Sequence, residues 1–224
     1  MPYKAIQKQW EIVGGMSTPS KMPGLSYGLP AQECITGNKL RHKPNTPCAR
    51  CYAFRGHYNR TQVKNAQYRR LYTYANPDWR TAIADILNYY LDKRGPENYS
   101  YFRWFDSGDL QDISHLFMIE QVAALTPRIK HWLPTHEYPI LAQRDRKVNQ
   151  FIDKPDNLVV RPSAVYMDQD LPAWRKRGYP ISTVTRDKDP IGYECPAPKQ
   201  DHKCGDCRAC WQPEKYPIIS YLEH

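Results

Sequence analysis

No apolar stretch in the 224 residues approaches the ~20 that a membrane span requires, so the sequence predicts a chain that does not cross a bilayer. The opening residues, MPYKAIQKQW, lack the apolar core of a secretory signal, and the expectation is a reducing, cytoplasmic setting. In that setting the seven cysteines are thiols or metal ligands rather than disulfides. Walker A loops, Gly-x-Gly-x-x-Gly turns, Gly-x-Ser-x-Gly elbows and His-Glu-x-x-His pairs are all missing, which removes the commonest routes to nucleotide, hydrolase and zincin chemistry. His136-Glu137 has no second histidine at zincin spacing. Internal repeats and low-complexity runs are absent too, so the 20 prolines and 17 tyrosines are read as belonging to long ordered loops.

The composition, 41% hydrophobic and 25% charged, is that of a folded globular chain large enough for one sizeable domain, with or without a small appendage. A formal charge of +9 favours anionic partners. Basic and aromatic residues alternate from Arg55 to Tyr72. On a helix, Arg60, Lys64, Arg69 and Arg70 would follow phosphates, with Tyr58 or Tyr68 stacking on bases. The competing reading is a solvated helix face that packs its tyrosines inward.

Met16 to Pro47 carries five prolines and no sustained helical period, and reads as loop. Asn59 to Tyr74 and Asp78 to Leu91 read as two helices, the second stopped by Arg94-Gly95-Pro96. Beyond Pro96, strands are expected at Tyr101–Phe105, His131–Thr135, Leu158–Arg161 and Ile181–Thr185. Helices are expected at Ile113–Leu125, Ile140–Ile152 and Asp170–Lys176. Strand centres about 25–30 residues apart match one strand–helix unit with parallel strands and right-handed crossovers. The class is α/β. The strands end in polar residues, Asp106-Ser107-Gly108-Asp109, Thr135-His136-Glu137, Arg161-Pro162-Ser163 and Thr185-Arg186-Asp187. Loops after parallel strands build active sites, although any such loop also needs polar caps and turns.

The cysteines fall into two groups. Cys195, Cys204, Cys207 and Cys210 are spaced C-x8-C-x2-C-x2-C, and Cys34, Cys48 and Cys51 are spaced C-x13-C-x2-C. Four thiolates close a tetrahedral metal site or a four-iron cluster, whereas three leave one position open to a ligand. The run Cys204–Cys207–Cys210 is similar to that of bacterial ferredoxins, while structural zinc draws more often on two separated C-x2-C knuckles. Iron–sulfur is therefore expected at the tail, with zinc as the alternative.

Cys48-Ala49-Arg50-Cys51-Tyr52-Ala53 resembles the cluster loop of radical S-adenosylmethionine (SAM) enzymes. The wider stretch from Lys21 to Tyr58, with PGLSYGLPAQEC and CARCYAFRGHYN, resembles bacteriophage proteins of the gene product eighty-eight family, and the Cys-rich tail and FRWFDSGD support that match more loosely. The radical-SAM resemblance implies a partial (β/α) barrel of roughly five to six parallel strands over 1–190, with a Cys-rich auxiliary extension over 191–224. It implies a [4Fe-4S] cluster on Cys34, Cys48 and Cys51 whose open iron binds SAM, so that one electron cleaves SAM to methionine and a 5′-deoxyadenosyl radical. Ser107, Gly108 and Asp109 would stand where such enzymes keep a Gly-Gly-Glu-like turn for the SAM ammonium. Arg161 and Ser163 would reach its carboxylate or ribose, and Thr135 would line the same cavity. A second four-cysteine [4Fe-4S] cluster would relay electrons or bind substrate, and a flavodoxin- or ferredoxin-like donor would supply the electron. If phage-encoded, the chain would work in the host cytoplasm.

Two features depart from the radical-SAM pattern: thirteen residues rather than three separate the first two cysteines, and Arg50 stands where an aromatic residue is usual. Loop closure tolerates the longer spacing, since its entropy cost grows by only ~0.6 kcal/mol per doubling. The other readings are a three-cysteine cluster closed by His42 or His57 as an electron-transfer or structural site, an iron–sulfur protein with two closed clusters and no SAM chemistry that serves electron transfer or sensing, and a zinc-stabilised nucleic-acid-binding protein.

Overall fold

The computed structural model describes residues 3–147 and 154–223. Its centre is a four-stranded parallel sheet of β1 (Leu25–Tyr27), β2 (Tyr101–Trp104), β3 (Lys130–Thr135) and β4 (Leu158–Pro162), side by side in that order. A smaller parallel sheet is built from β5 (Ile181–Thr185), β6 (Tyr193–Glu194) and β7 (Ile218–Leu222), with β7 in the middle. One parallel bridge, Ser163 to Ser182, links the sheets just beyond β4. Residues 191–223 are thus tied to the rest by strand pairing, since β7 hydrogen-bonds along the full length of β5.

The helices are α1 (Tyr3–Ile12), α2 (Ile35–Leu40), α3 (Thr61–Thr73), α4 (Trp79–Arg94), α5 (Pro96–Tyr99), α6 (Ile113–Leu125), α7 (Tyr138–Arg146) and α8 (Pro172–Lys176). α4 buries Trp79, Ile83, Ile86, Leu87 and Leu91, a three- and four-residue spacing that makes one apolar face. It ends at Gly95, whose φ of 85° is one that residues with a side chain rarely adopt. α6 begins where the Asp112 carboxylate accepts the His115 N–H, a side-chain cap on an otherwise unpaired donor. Every residue of β4 is buried, as expected of a parallel strand covered on both faces.

The core beneath the sheet is aromatic. Tyr27 meets Trp79 edge to face at 5.5 Å, and Phe102 meets Trp104 at 4.8 Å. The Tyr27 hydroxyl donates to Val13 C=O at 2.8 Å and accepts from Trp79 Nε1 at 3.0 Å, so its polar end is satisfied inside the core.

The segment read as loop from Met16 to Pro47 contains β1 and α2. β1 is three residues long, lies between Gly24 and Gly28, and buries a serine at its centre, so no apolar period announces it. α1, β6 and β7 were likewise not anticipated. The helix expected from Ile140 to Ile152 starts two residues earlier, and 148–153 lie outside the described residues. Among the described residues no helix is long and apolar enough to cross a membrane.

Candidate functional site

Cys34, Cys48 and Cys51 stand on short turns that follow β1. Cys34 caps α2. Thr46 accepts the Ala49 N–H at 3.2 Å and donates to Leu40 C=O at 2.9 Å, fixing the turn that carries Cys48. The Cys51 N–H donates to Cys48 C=O at 3.3 Å. A Cβ placed on Gly37 would lie 2.9 Å from Cys34 Cβ, 3.5 Å from Cys34 Sγ and 3.8 Å from Cys48 Sγ, so both sulfurs border this position and a side chain there would crowd Cys34. Burial pushes the Cys48 thiol up to about 12, with Cys51 and Asp109 adding to it. Burial raises Cys34 further, with Asp109 and the other two cysteines reinforcing it, and also raises Cys51. The neutral thiols are therefore favoured, and ionising all three would set like charges against one another and against Asp109, a repulsion that a cationic metal group would relieve.

The turn after β2 closes the same end of the sheet. The Asp106 carbonyl accepts hydroxyls from Tyr52 at 2.6 Å and Tyr58 at 3.2 Å. Ser107 Oγ donates to Leu29 C=O at 2.8 Å and accepts from Gln67 Nε2 at 2.7 Å, stitching the ends of β1 and β2 together. Gly108 has φ 77°, and a Cβ there would sit 2.6 Å from Leu29 Cβ, so both conformation and space require glycine. Asp109 accepts Thr135 Oγ1 at 2.6 Å through one carboxylate oxygen and the His136 N–H at 2.8 Å through the other. Burial holds its carboxyl up to about 7 despite these hydrogen bonds, and Glu137 adds to the rise.

Sequence reasoning passed over Glu137 as a site residue. Its carboxylate accepts both the N–H and the hydroxyl of Thr36 at 2.7 Å, gripping the first turn of α2 two residues beyond Cys34. Its position two residues beyond β3 was the available signal, because carboxylates after parallel strands face the functional end of such sheets. Cys34, Cys48, Asp109, Thr135 and Glu137 therefore meet at the C-terminal ends of β1, β2 and β3.

The remaining expected residues divide. The Ser163 N–H donates to Thr135 C=O at 2.8 Å, and its carbonyl accepts the Tyr138 hydroxyl at 2.6 Å, placing it beside the group. Arg161 is fully buried and has another task. Its five N–H donors contact the carbonyls of Cys210, Ile181, Pro217, Ala209 and Tyr216, leaving none for a cofactor carboxylate. His42 and His57 are exposed. Among the described residues, no three His, Cys, Asp or Glu side chains stand together as ligands of a single metal ion.

The basic stripe on α3 is also partly withdrawn. Arg70 is buried, donating to Gly15 C=O and Gly28 C=O, both at 3.1 Å, and the Tyr58 hydroxyl is bound to Asp106. Neither side chain is available to phosphates or bases.

The tail cysteines gather between β6 and β7. The Cys195 N–H donates to Ser220 C=O in β7, the Cys204 N–H to Lys21 C=O, and the Cys207 N–H to Cys204 C=O, at 2.8 to 3.0 Å. Burial raises Cys195 and Cys204, with Cys207 adding to both, and pushes Cys210 up to about 12 against the lowering influence of Tyr221 and Arg161. Tyr221 Oη is 3.3 Å from Cys210 Sγ and Tyr193 Oη is 3.7 Å from Cys207 Sγ, so each phenol can donate to a thiolate sulfur. In number and kind the four thiols match the ligands of a four-iron cluster, which are spread wider than those of a single ion.

Parallel strands, polar loops at their C-terminal ends and two separate cysteine groups define a mixed α/β protein with two thiol-rich centres. Residues 4–213 match the family described as Gene product 88, and the chain belongs to that family. No curated protein and no solved structure matches it.

Proposed function

We propose that the chain is an iron–sulfur enzyme of radical-SAM-like type. The observation that carries this reading is the meeting of Cys34, Cys48, Asp109, Thr135 and Glu137 at one end of three adjacent parallel strands. The Ser163–Ser182 bridge supports a partial barrel, since it orders all seven strands in parallel as β1-β2-β3-β4-β5-β7-β6.

Cys34, Cys48 and Cys51 would hold one [4Fe-4S] cluster, and Cys195, Cys204, Cys207 and Cys210 a second. SAM held at the three-cysteine site would supply reductive cleavage of its C5′–S bond, the electron coming from a flavodoxin- or ferredoxin-like donor. The chain's own residues prepare the site. Asp109, whose carboxyl burial raises to about 7, would be favoured in its charged form by an ammonium group beside it. Thr135 is held by Asp109, and Ser163 is joined to Thr135 through its backbone. Glu137 fixes the helix that Cys34 caps. Arg161 serves the tail and is not assigned to SAM.

The test is reduction of anaerobically purified protein with dithionite in the presence of SAM, followed by chromatography for 5′-deoxyadenosine. Formation of 5′-deoxyadenosine, reduced in Asp109→Asn while iron content is kept, is the expected result. A protein with full iron that neither binds SAM nor yields 5′-deoxyadenosine would overturn the reading.

A further inference from the structure

From Cys34 to Pro77 the chain has no acidic residue, yet it carries nine lysines and arginines there. Elsewhere it holds 23 basic and 23 acidic side chains, so the whole formal charge of +9 belongs to this one segment. The segment contains the three-cysteine loop and runs on through α3. Lys39, Arg41, Lys43, Arg55, Arg60 and Arg69 are exposed, and none of the six is in an ion pair among the described residues. The charge therefore faces solvent without internal compensation.

Aromatic rings stand among these cations. Arg60 at the start of α3, then Lys64, Tyr68 and Tyr72, recur at four-residue spacing along one side of the helix, away from the buried Gln67 and Arg70. Tyr72 is 75% exposed, and its ring meets that of Tyr68 at 6.1 Å. A solvated helix face that packs its tyrosines inward would not leave Tyr72 in water. The Tyr68 hydroxyl donates to Glu33 at 3.1 Å, which ties this side of α3 to the residue beside Cys34. On the cysteine loop, Arg41 stacks over the Phe54 ring at 4.0 Å. Tyr52, next to Cys51, is half exposed, and its hydroxyl is fixed by Arg103 Nη2 at 3.2 Å and Asp106 C=O at 2.6 Å.

We propose that this face, from the three-cysteine loop along α3, binds a single-stranded nucleic acid, its unpaired cations meeting phosphates and its exposed tyrosines stacking on bases. Arg70 and Tyr58, whose polar groups are turned inward, take no part. An acidic protein would be held by the charge but would leave the rings unused, and a duplex has its bases already stacked. Binding needs no cluster, so the inference goes beyond the radical-SAM-like reading and can fail without it.

The experiment is fluorescence anisotropy of the full chain with labelled oligothymidine and oligouridine of about 15 nucleotides, over a range of salt, with a duplex of the same length and polyglutamate as comparisons. Both single strands should bind more tightly than the duplex or polyglutamate, and the tighter of the two identifies DNA or RNA. Arg60→Gln, Lys64→Gln and Arg69→Gln together remove three cations, so affinity at about 0.1 M salt should fall about a hundredfold and the logarithmic salt slope should flatten by about 2. Lys4→Gln, Lys8→Gln and Lys93→Gln together change the net charge equally, on α1 and α4, and should leave affinity unchanged. Tyr72→Ala should weaken binding about fivefold or more, while Tyr72→Phe keeps it. Equal losses in the two triple variants, polyglutamate or duplex bound as tightly as the single strands, or no binding at all would overturn the inference. Wild type that forms 5′-deoxyadenosine but binds no strand would overturn it too, and leave the radical-SAM-like reading standing.

Discussion

Replacing Arg161 by methionine should release the tail from the sheet. The guanidinium is fully buried and contacts five carbonyls, three of them in the segment Ala209–Tyr216 and one on Pro217. Only two contacts are short, Nε to Cys210 C=O at 3.1 Å and Nη2 to Tyr216 C=O at 2.8 Å. Hydrogen bonds to a charged group contribute ~1.5–3 kcal/mol each, so these two account for ~3–6 kcal/mol. Removing a buried cation relieves part of its desolvation cost, and a net loss of about 2–4 kcal/mol follows. Methionine fills the space without the donors, leaving the Cys210 and Tyr216 carbonyls unsatisfied. Denaturant titration of the thiol-reduced, metal-free chain measures the loss, and limited proteolysis with mass spectrometry locates it. The expected first cuts lie between residues 195 and 217. A variant as stable and as protease-resistant as wild type would refute the clamp.

Gly108→Ala should cost about 2–5 kcal/mol, because the left-handed φ penalises a side chain and its Cβ would overlap Leu29; an unchanged melting temperature would contradict this. Cys48→Ala and Cys207→Ala should each remove one cluster and leave the other's iron and sulfide, and loss of all iron from either would argue against two separate centres. His115 stacks on Tyr74 at 4.6 Å with both ring nitrogens buried and, among the described residues, unpartnered, so His115→Phe should stabilise the fold. Burial also holds the His115 imidazole down to about 4, so the folded state refuses a proton that the unfolded chain accepts below its own pKa. Wild type therefore loses stability as the pH falls through about 6.5 towards 4, by up to ~1.4 kcal/mol per pH unit from this group, and the phenylalanine variant should lack that component. Parallel acid limbs in the two proteins would refute it.

The four strands from β2 to β5 were legible because β-rich runs recur at one strand–helix interval, and α6 was legible to the residue. β1 was hidden by its length and its buried serine. β6 and β7 were masked by the cysteine spacing around them, which drew attention to ligands rather than to the short run Ile218–Leu222. At the site, cysteine spacing and the Ser-Gly-Asp turn pointed to residues that fall into two places. The roles of individual charges were not readable. Arg161 and Arg70 look like anion-binding side chains in a linear sequence, and only the fold turns their donors onto backbone carbonyls. Glu137 and Arg103 act across elements, holding partners 101 and 51 positions away in sequence, a separation that no local pattern encodes.

The central claim is that the two cysteine groups hold two clusters, one of them open to SAM. Iron and acid-labile sulfide per chain on anaerobically purified protein, with electron paramagnetic resonance of the dithionite-reduced sample recorded with and without SAM, test it most directly. The account predicts about eight irons and eight sulfides per chain, from two four-iron clusters, and a spectrum that changes when SAM is added. Zinc without iron, or iron with a spectrum indifferent to SAM, would contradict it.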